Sequence, residues 1–285
     1  MGDGRLALGA WRFVHTAVQG SGHARLSLPC QDSALCYTIS ITGLDDVLIG
    51  VVSDGAGSAS RSHLGAEAAT SALAEAVEHS YRAGQSLADL GRTDLVGWAA
   101  SVRRSVTAVA SAEGADLREF ACTLLAAVVE PERSAFLQIG DGAIVVSPED
   151  DPDEYAWVFW PQRGEYANYT RFITDDDALD QIGVDVVDGA VYEVALFTDG
   201  LQPLALHYAS QTAHAPLFRT LFGPLRSEGP GPCGGLSSSL TAFLSSDRVN
   251  ERTDDDKSLV LATRRPTAPA SDRTTATDRP VDSEP

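Results

Sequence analysis

LIGVVSDGAGS, residues 48–58, passes from an apolar run to an acidic, glycine-rich loop within a few residues. The run from Val47 to Val52 is short and rich in β-branched side chains, so it reads as a strand. A wholly apolar strand belongs in a core, which puts Asp54 at the core's rim. Three further stretches repeat the arrangement. FLQIGDGAIVV (136–146) places Asp141 between two strands, and VALFTDG (194–200) places Asp199 after one. TDDDKSLVLA (253–262) places Asp254, Asp255 and Asp256 just before another. PCQDSALC (29–36) sets Asp32 ahead of a further strand. A single Asp-Gly is ordinary chemistry for a tight turn, and Asp141-Gly142 alone reads as a hairpin. Several carboxylates gathered at one rim are a different matter. They repel unless they protonate or bind cations.

Hard divalent ions with oxygen ligands answer that repulsion. The sequence supplies no triple-histidine or cysteine set, so Mg2+ or Mn2+ fits better than zinc. Two such ions sharing one aspartate lower the pKa of a bridging water and neutralise charge on a phosphoryl group. The residues therefore suggest metal-assisted phosphate-ester hydrolysis.

The rest of the chain sets the fold class. Apolar, β-branched patterning predicts strands at 34–41, 47–52, 123–129, 135–139, 143–146, 156–159, 192–197 and 258–262. Leu64, Ala68, Ala72, Leu73, Ala76 and Val77 recur at helical spacing within 62–82, as do Leu95, Ala99, Val102, Val106 and Val109 within 94–112. Helical character returns at 202–221 and 236–244. Strands come in consecutive runs and helices in blocks. That order predicts an α+β fold with antiparallel sheets and helices outside, not a parallel doubly wound sheet. The short connections 130–134 and 140–142 read as hairpins.

Composition narrows the function classes. The chain has 285 residues, 44% hydrophobic and 21% charged, which is ordinary for a globular protein. A formal net charge of -19 argues against nucleic acid and anionic membrane as partners. The four cysteines, Cys30, Cys36, Cys122 and Cys233, form no C-x-x-C pair and read as buried thiols of a reducing compartment. No apolar run is long enough to cross a membrane and no leader is recognisable, so a cytoplasmic location is expected. Residues 265–285, rich in Pro, Thr, Ser and Asp, read as a disordered tail behind one domain spanning 1–264.

The ordered motif set is more specific than any one member. QDS (31–33), SDGAGS (53–58), Thr123 in ACTLLAAVV, IGDG (139–142), FTDG (197–200) and DDKSLVLA (255–262) together resemble the PP2C (PPM) family. These are metal-dependent Ser/Thr protein phosphatases. GEYANYTRF (164–172) is similar to a segment of a bacterial branch. The resemblance implies an αββα sandwich, two antiparallel sheets packed face to face and flanked by helices. It also implies a binuclear Mn2+/Mg2+ site whose bridging hydroxide attacks phosphorus in line. By motif match Asp54 bridges both ions, the carbonyl of Gly55 binds the second, and Asp199 and Asp255 complete the first. Asp32 holds the second through water, and Asp141 matches a third, weaker site. Asp54, Asp199 and Asp255 are thus the expected catalytic set. Phosphorylated proteins are the implied substrates, with a Ser/Thr kinase of the same circuit as partner.

The sequence also departs from the family pattern. Ser27 stands where many members carry an arginine that clamps the substrate phosphate, leaving Arg25 or His23 as candidate phosphate ligands. Ala56 stands where some members carry a histidine proposed as general acid. These two positions motivate a second reading, a weak or inactive pseudophosphatase acting as a regulatory binding module. Within the acidic run 254–256, Asp255 is the favoured ligand. Asp175 to Asp177 read as a solvated loop. His63, His79, His207 and His214 read as surface or edge histidines. The region 148–190 corresponds to the family's flap, with Trp157, Trp160, Arg163, Tyr166, Tyr169 and Arg171 as candidate substrate contacts.

Overall fold

The structure, a computed structural model, describes residues 8–41, 46–148, 151, 153–161 and 170–265. The tail beyond 265, and Arg163, Tyr166 and Tyr169 of the flap region, lie outside the described residues. In chain order the first half comprises β1 (Arg12–Val18), α1 (Ser21–Leu26), β2 (Ser33–Ile39), β3 (Val47–Ser53), α2 (Ser62–Arg82), α3 (Arg92–Ala112), β4 (Leu124–Val129) and β5 (Arg133–Ile139). Then come β6 (Ala143–Ser147), β7 (Ala156–Trp157), β8 (Gly183–Asp188), β9 (Glu193–Phe197), α4 (Gln202–Ala205), β10 (Leu206–His207) and β11 (Thr212–Ala213). The chain closes with α5 (Ala215–Leu225), β12 (Gly231–Pro232), α6 (Gly234–Leu244), α7 (Asp247–Asn250) and β13 (Lys257–Thr263).

Two sheets carry the fold. One has strand order β12-β1-β13-β9-β6-β7, the other β2-β3-β4-β5-β8. Their pairings are antiparallel apart from the short β1–β12 contact. Alternation along each strand explains the layering. Val47, Ile49 and Val51 of β3 pack under α2 and α3, while Leu48 and Val52 meet the other sheet. On β13, Leu259 and Leu261 face α5 and α6, while Val260 and Ala262 turn to the sheet interface. Both faces of these strands are covered, so every residue of β3 and β13 is buried. Each fully buried aliphatic side chain contributes roughly 1.5–3 kcal/mol, which is why these strands carry no polar alternation. The result is the expected helix–sheet–sheet–helix sandwich.

Three features differ from the sequence reading. Residues 140–142 are not a hairpin: β5 lies in one sheet and β6 in the other, so the loop crosses between the layers. Apolar flanks alone do not distinguish a turn within a sheet from a crossing between sheets. The helix expected at 202–221 is split by the β10–β11 hairpin, where Gln211 adopts a left-handed φ of 51°. Pro216 then opens α5, a position where a missing N–H costs nothing. The loop read at 227–235 contains β12, which pairs with the start of β1. Five elements had no sequence prediction: β1, α1, β8, β12 and α7. β8 lies within the region read as flap, yet six of its residues pair with β5 as the edge of the five-stranded sheet.

Candidate active site

The acidic strand ends meet at one edge of the sandwich, contributed by both sheets. Asp32 precedes β2 and Asp54 follows β3 in one sheet; Asp199 follows β9 and Asp255 precedes β13 in the other. Asp141 sits on the loop that crosses between them. Carboxylate oxygens of Asp54, Asp141 and Asp199 lie within 4.8 Å of one another.

Each acid is fixed by its own backbone neighbourhood. The Asp54 N–H donates to Thr123 Oγ1 at 2.9 Å, and its carbonyl accepts from the Thr123 N–H at 2.8 Å. Gly55 bridges to Cys122 and donates to the Gln31 carbonyl at 3.1 Å. A Cβ on Gly55 would stand 2.6 Å from that carbonyl oxygen and 2.8 Å from Ser62 Cβ, so only glycine fits. Thr198 ties the layers together: its hydroxyl donates to Asp32 Oδ2 at 2.7 Å and accepts from the Ser258 N–H at 2.9 Å. Thr170 donates to Asp141 Oδ2 at 2.7 Å, and the Gln202 amide donates to the Asp141 carbonyl. Beneath Asp255, the fully buried Lys257 ammonium donates to the Asp255 carbonyl and to Asn250 Oδ1, both at 3.0 Å.

Gathering these acids without a counter-charge is costly, and burial with mutual repulsion favours their protonated forms. Burial first, then the Asp32, Asp199 and Asp255 charges, holds Asp54 well above the usual carboxylate range. Burial pushes Asp32 up to about 7, with Asp256 and Asp199 adding to the shift. Asp199 is pushed up to about 6 by burial, then by Asp141 and Asp255. Asp32 Oδ1 is buried with no hydrogen-bond donor. An all-oxygen cage with an unsatisfied buried acceptor matches what a hard divalent cation needs, so the residues fit the metal implied by the sequence.

The remaining candidates sit around this cage. Arg25 pairs with Asp254 at 2.9 Å, and both side chains are about two-thirds exposed. His23 Nδ1 lies 2.8 Å from Oδ2 of the buried Asp256. The acidic run therefore divides its work. Asp255 faces the other acids, while Asp256 accepts the Gly20 and Gln31 N–H groups and anchors α1. Asp176 and Asp177 are held by Arg103 and Arg171. Trp157 and Trp160 pack edge-on, and Trp160 does the same with Tyr208, whose hydroxyl reaches Gln202 and through it the Asp141 loop. Sequence reasoning missed Thr198, Gln202 and Lys257. Thr198 and Lys257 each had a signal, Thr198 directly before Asp199 and Lys257 directly after the acidic run; Gln202 acts across the fold and had none.

Comparison with known proteins agrees with this geometry. The family model described as Protein phosphatase 2C matches residues 19–245. The chain is 37% identical over 255 residues to Serine/threonine-protein phosphatase 3 of Escherichia coli (strain K12), covering 89% of this chain and 98% of that protein. The fold resembles the S. agalactiae serine/threonine phosphatase, with a TM-score of 0.57 at 13% identity over 89% of this chain and 99% of that one. It also resembles the serine-threonine phosphatase 2C of Toxoplasma gondii, with a TM-score of 0.58 at 13% identity over 91% and 96% of the two chains. No helix among the described residues is long and apolar enough to cross a membrane. With the family model spanning most of the chain, the acids at the sandwich edge belong to a protein phosphatase 2C, a metal-dependent phosphoprotein phosphatase.

Proposed function

We propose that Asp54 is shared by two Mn2+ or Mg2+ ions and that Asp199 and Asp255 complete one while Asp32 and the Gly55 carbonyl serve the other. Asp141 belongs to a third, weaker position beside Asp199. The observation that carries this reading is the convergence of acids from both sheets on one rim, where burial and mutual repulsion favour their protonated forms. Bound divalent ions supply a nucleophilic water at neutral pH and offset charge on the transferring phosphoryl group. The chain's part is to fix the acids: Thr123 sets Asp54, Thr198 sets Asp32, and Thr170 with Gln202 sets Asp141. The substrates are phosphoserine and phosphothreonine in proteins, and a Ser/Thr kinase of the same circuit makes them. The domain spans 1–264 and the tail 265–285.

The test is ion-dependent release of phosphate from a phosphothreonine peptide, beside calorimetric binding of Mn2+ and Mg2+. Asp199→Ala is expected to lose ion binding and turnover together. Retained turnover in both Asp199→Ala and Asp54→Ala rejects the site, and ion binding by the native chain without turnover on any phosphopeptide favours the pseudophosphatase reading.

Stability follows from the same shifts. Carboxyls raised by folding hold protons that the unfolded chain has released, so their effect destabilises the ion-free fold as pH rises from about 4 through 6 and 7. Saturating Mn2+ at a hundredfold excess over its Kd adds about 2.7 kcal/mol, or roughly 5–10 °C for a domain this size. The gap in melting temperature between Mn2+-loaded and chelated protein is expected to widen between pH 5.5 and 8. A gap that narrows over that range contradicts the acid cage.

A further inference from the structure

Two imidazoles take no part in the chemistry above. β10 and β11 form a hairpin in which Leu206 pairs with Ala213 and His207 with Thr212. Strand alternation puts residues 207, 212 and 214 on one face, so His207 and His214 are diagonal neighbours across the ladder. Their rings cross at 77° with centroids 4.7 Å apart. His207 Nε2 lies 2.6 Å from His214 Nδ1, a hydrogen bond in which one nitrogen donates and the other accepts. The backbone pins the pair: the His214 N–H donates to the Ala205 carbonyl at 2.8 Å, just before β10. Both rings line a cavity of about 910 Å3 whose charged residues are Arg248, Glu251 and Arg252. No third His, Cys, Asp or Glu ligand atom lies within 4.8 Å of both nitrogens among the described residues.

Such a pair is close to a chelate. Tetrahedral coordination with Zn–N bonds of about 2.0–2.1 Å sets two nitrogens roughly 3.3 Å apart, so these rings need part by less than an ångström. The cavity leaves room for the waters that complete the shell. Two imidazoles without a carboxylate suit borderline ions such as Zn2+, Ni2+ and Cu2+ and offer little to Mg2+ or Mn2+, the reverse of the acid cage. We propose that His207 and His214 chelate one borderline divalent ion, Zn2+ the probe for it, at a site separate from that cage. The proton between the facing nitrogens gives way to the ion, and each neutral ring keeps a proton on its outer nitrogen. The proposal rests on the hairpin alone and stands whether or not the phosphatase reading holds. An ion here clips together the hairpin whose Tyr208 bonds to Gln202, the partner of the Asp141 carbonyl.

The test titrates Zn2+ calorimetrically into the full chain, with Mg2+ in excess to fill the acid cage. The native chain is expected to take up one Zn2+ that His207→Gln and His214→Gln each fail to bind, while both variants keep the native circular dichroism. A second measurement needs no variant: in 15N spectra of the native chain, Zn2+ is expected to shift one ring nitrogen on each histidine, His207 Nε2 and His214 Nδ1. Trp157 donates to the Gln211 carbonyl on the same hairpin at 2.8 Å, and Trp160 packs on Tyr208. Cu2+ is therefore expected to quench indole emission in the native chain and not in the variants. Zn2+ uptake that survives in both histidine variants places the ion elsewhere and overturns the proposal. So does a shift confined to one imidazole, or a native chain that takes up no Zn2+ above its Mg2+ load.

Discussion

Replacing Asp54 by asparagine is expected to lower phosphopeptide turnover at least about 10³-fold while raising the melting temperature of the ion-stripped protein. The two effects share one cause. Asp54 faces Asp32, Asp199 and Asp255 in a half-buried setting, and its titration is pushed upward by burial and by those neighbours. Without cations the carboxylate repels its surroundings; an isosteric amide removes that charge and keeps the Thr123 contacts to the Asp54 backbone. Each kcal/mol of repulsion relieved is worth about 2–4 °C. Losing the acid proposed to be shared by two ions removes several kcal/mol of charge stabilisation from the reaction, and about 4 kcal/mol corresponds to 10³ in rate. Steady-state kinetics with Mn2+ and thermal melts in chelator check the two halves. An ion-stripped variant that melts below the native chain contradicts the repulsive cage.

Gly200→Ala is expected to cost about 3 kcal/mol or more, some 6–12 °C in melting temperature. A methyl there would stand 2.0 Å from the Asp256 carbonyl oxygen and 3.3 Å from Lys257 Cγ. The first obstacle is backbone, so relief means moving the start of β13 away from the turn after β9. That motion separates Asp199 from Asp255, so Mn2+ affinity is expected to fall with stability. Gly97→Ala is the matched control. It lies on the exposed face of α3 with nothing within 4 Å of the added methyl, and is expected to gain roughly 0.5–1 kcal/mol. Chemical denaturation of the two variants side by side measures the contrast, and a Gly200→Ala protein as stable as the native chain contradicts the packing.

Much of this arrangement was legible in the residues, and the gaps have physical causes. Val47–Val52 declared itself because both faces are covered, so no polar side chain blurs the run. Asp54, Asp199 and Asp255 could be read as rim acids because each adjoins such a strand. β8 is an edge strand with one half-buried face, and its Gly-Val-Asp-Val-Val-Asp pattern is too mixed to stand out. α1 has six residues and no buried side chain, so no hydrophobic period marks it. Its importance comes from backbone contacts to Asp254 and Asp256, which no local pattern encodes. His23 was legible as a residue near the site, but its place against Asp256, 233 positions along the chain, required the fold.

β3, covered on both faces in the finished molecule, has a cost before the molecule is finished. Residues 47–53 contain no charge and no proline, which is the profile of a segment that self-associates while still unfolded. Asp46 and Asp54 bracket it like gatekeepers. The acid assigned to chemistry thus doubles as a solubility guard for the nascent chain, and Asp54→Asn should yield less soluble material even as the purified protein melts higher.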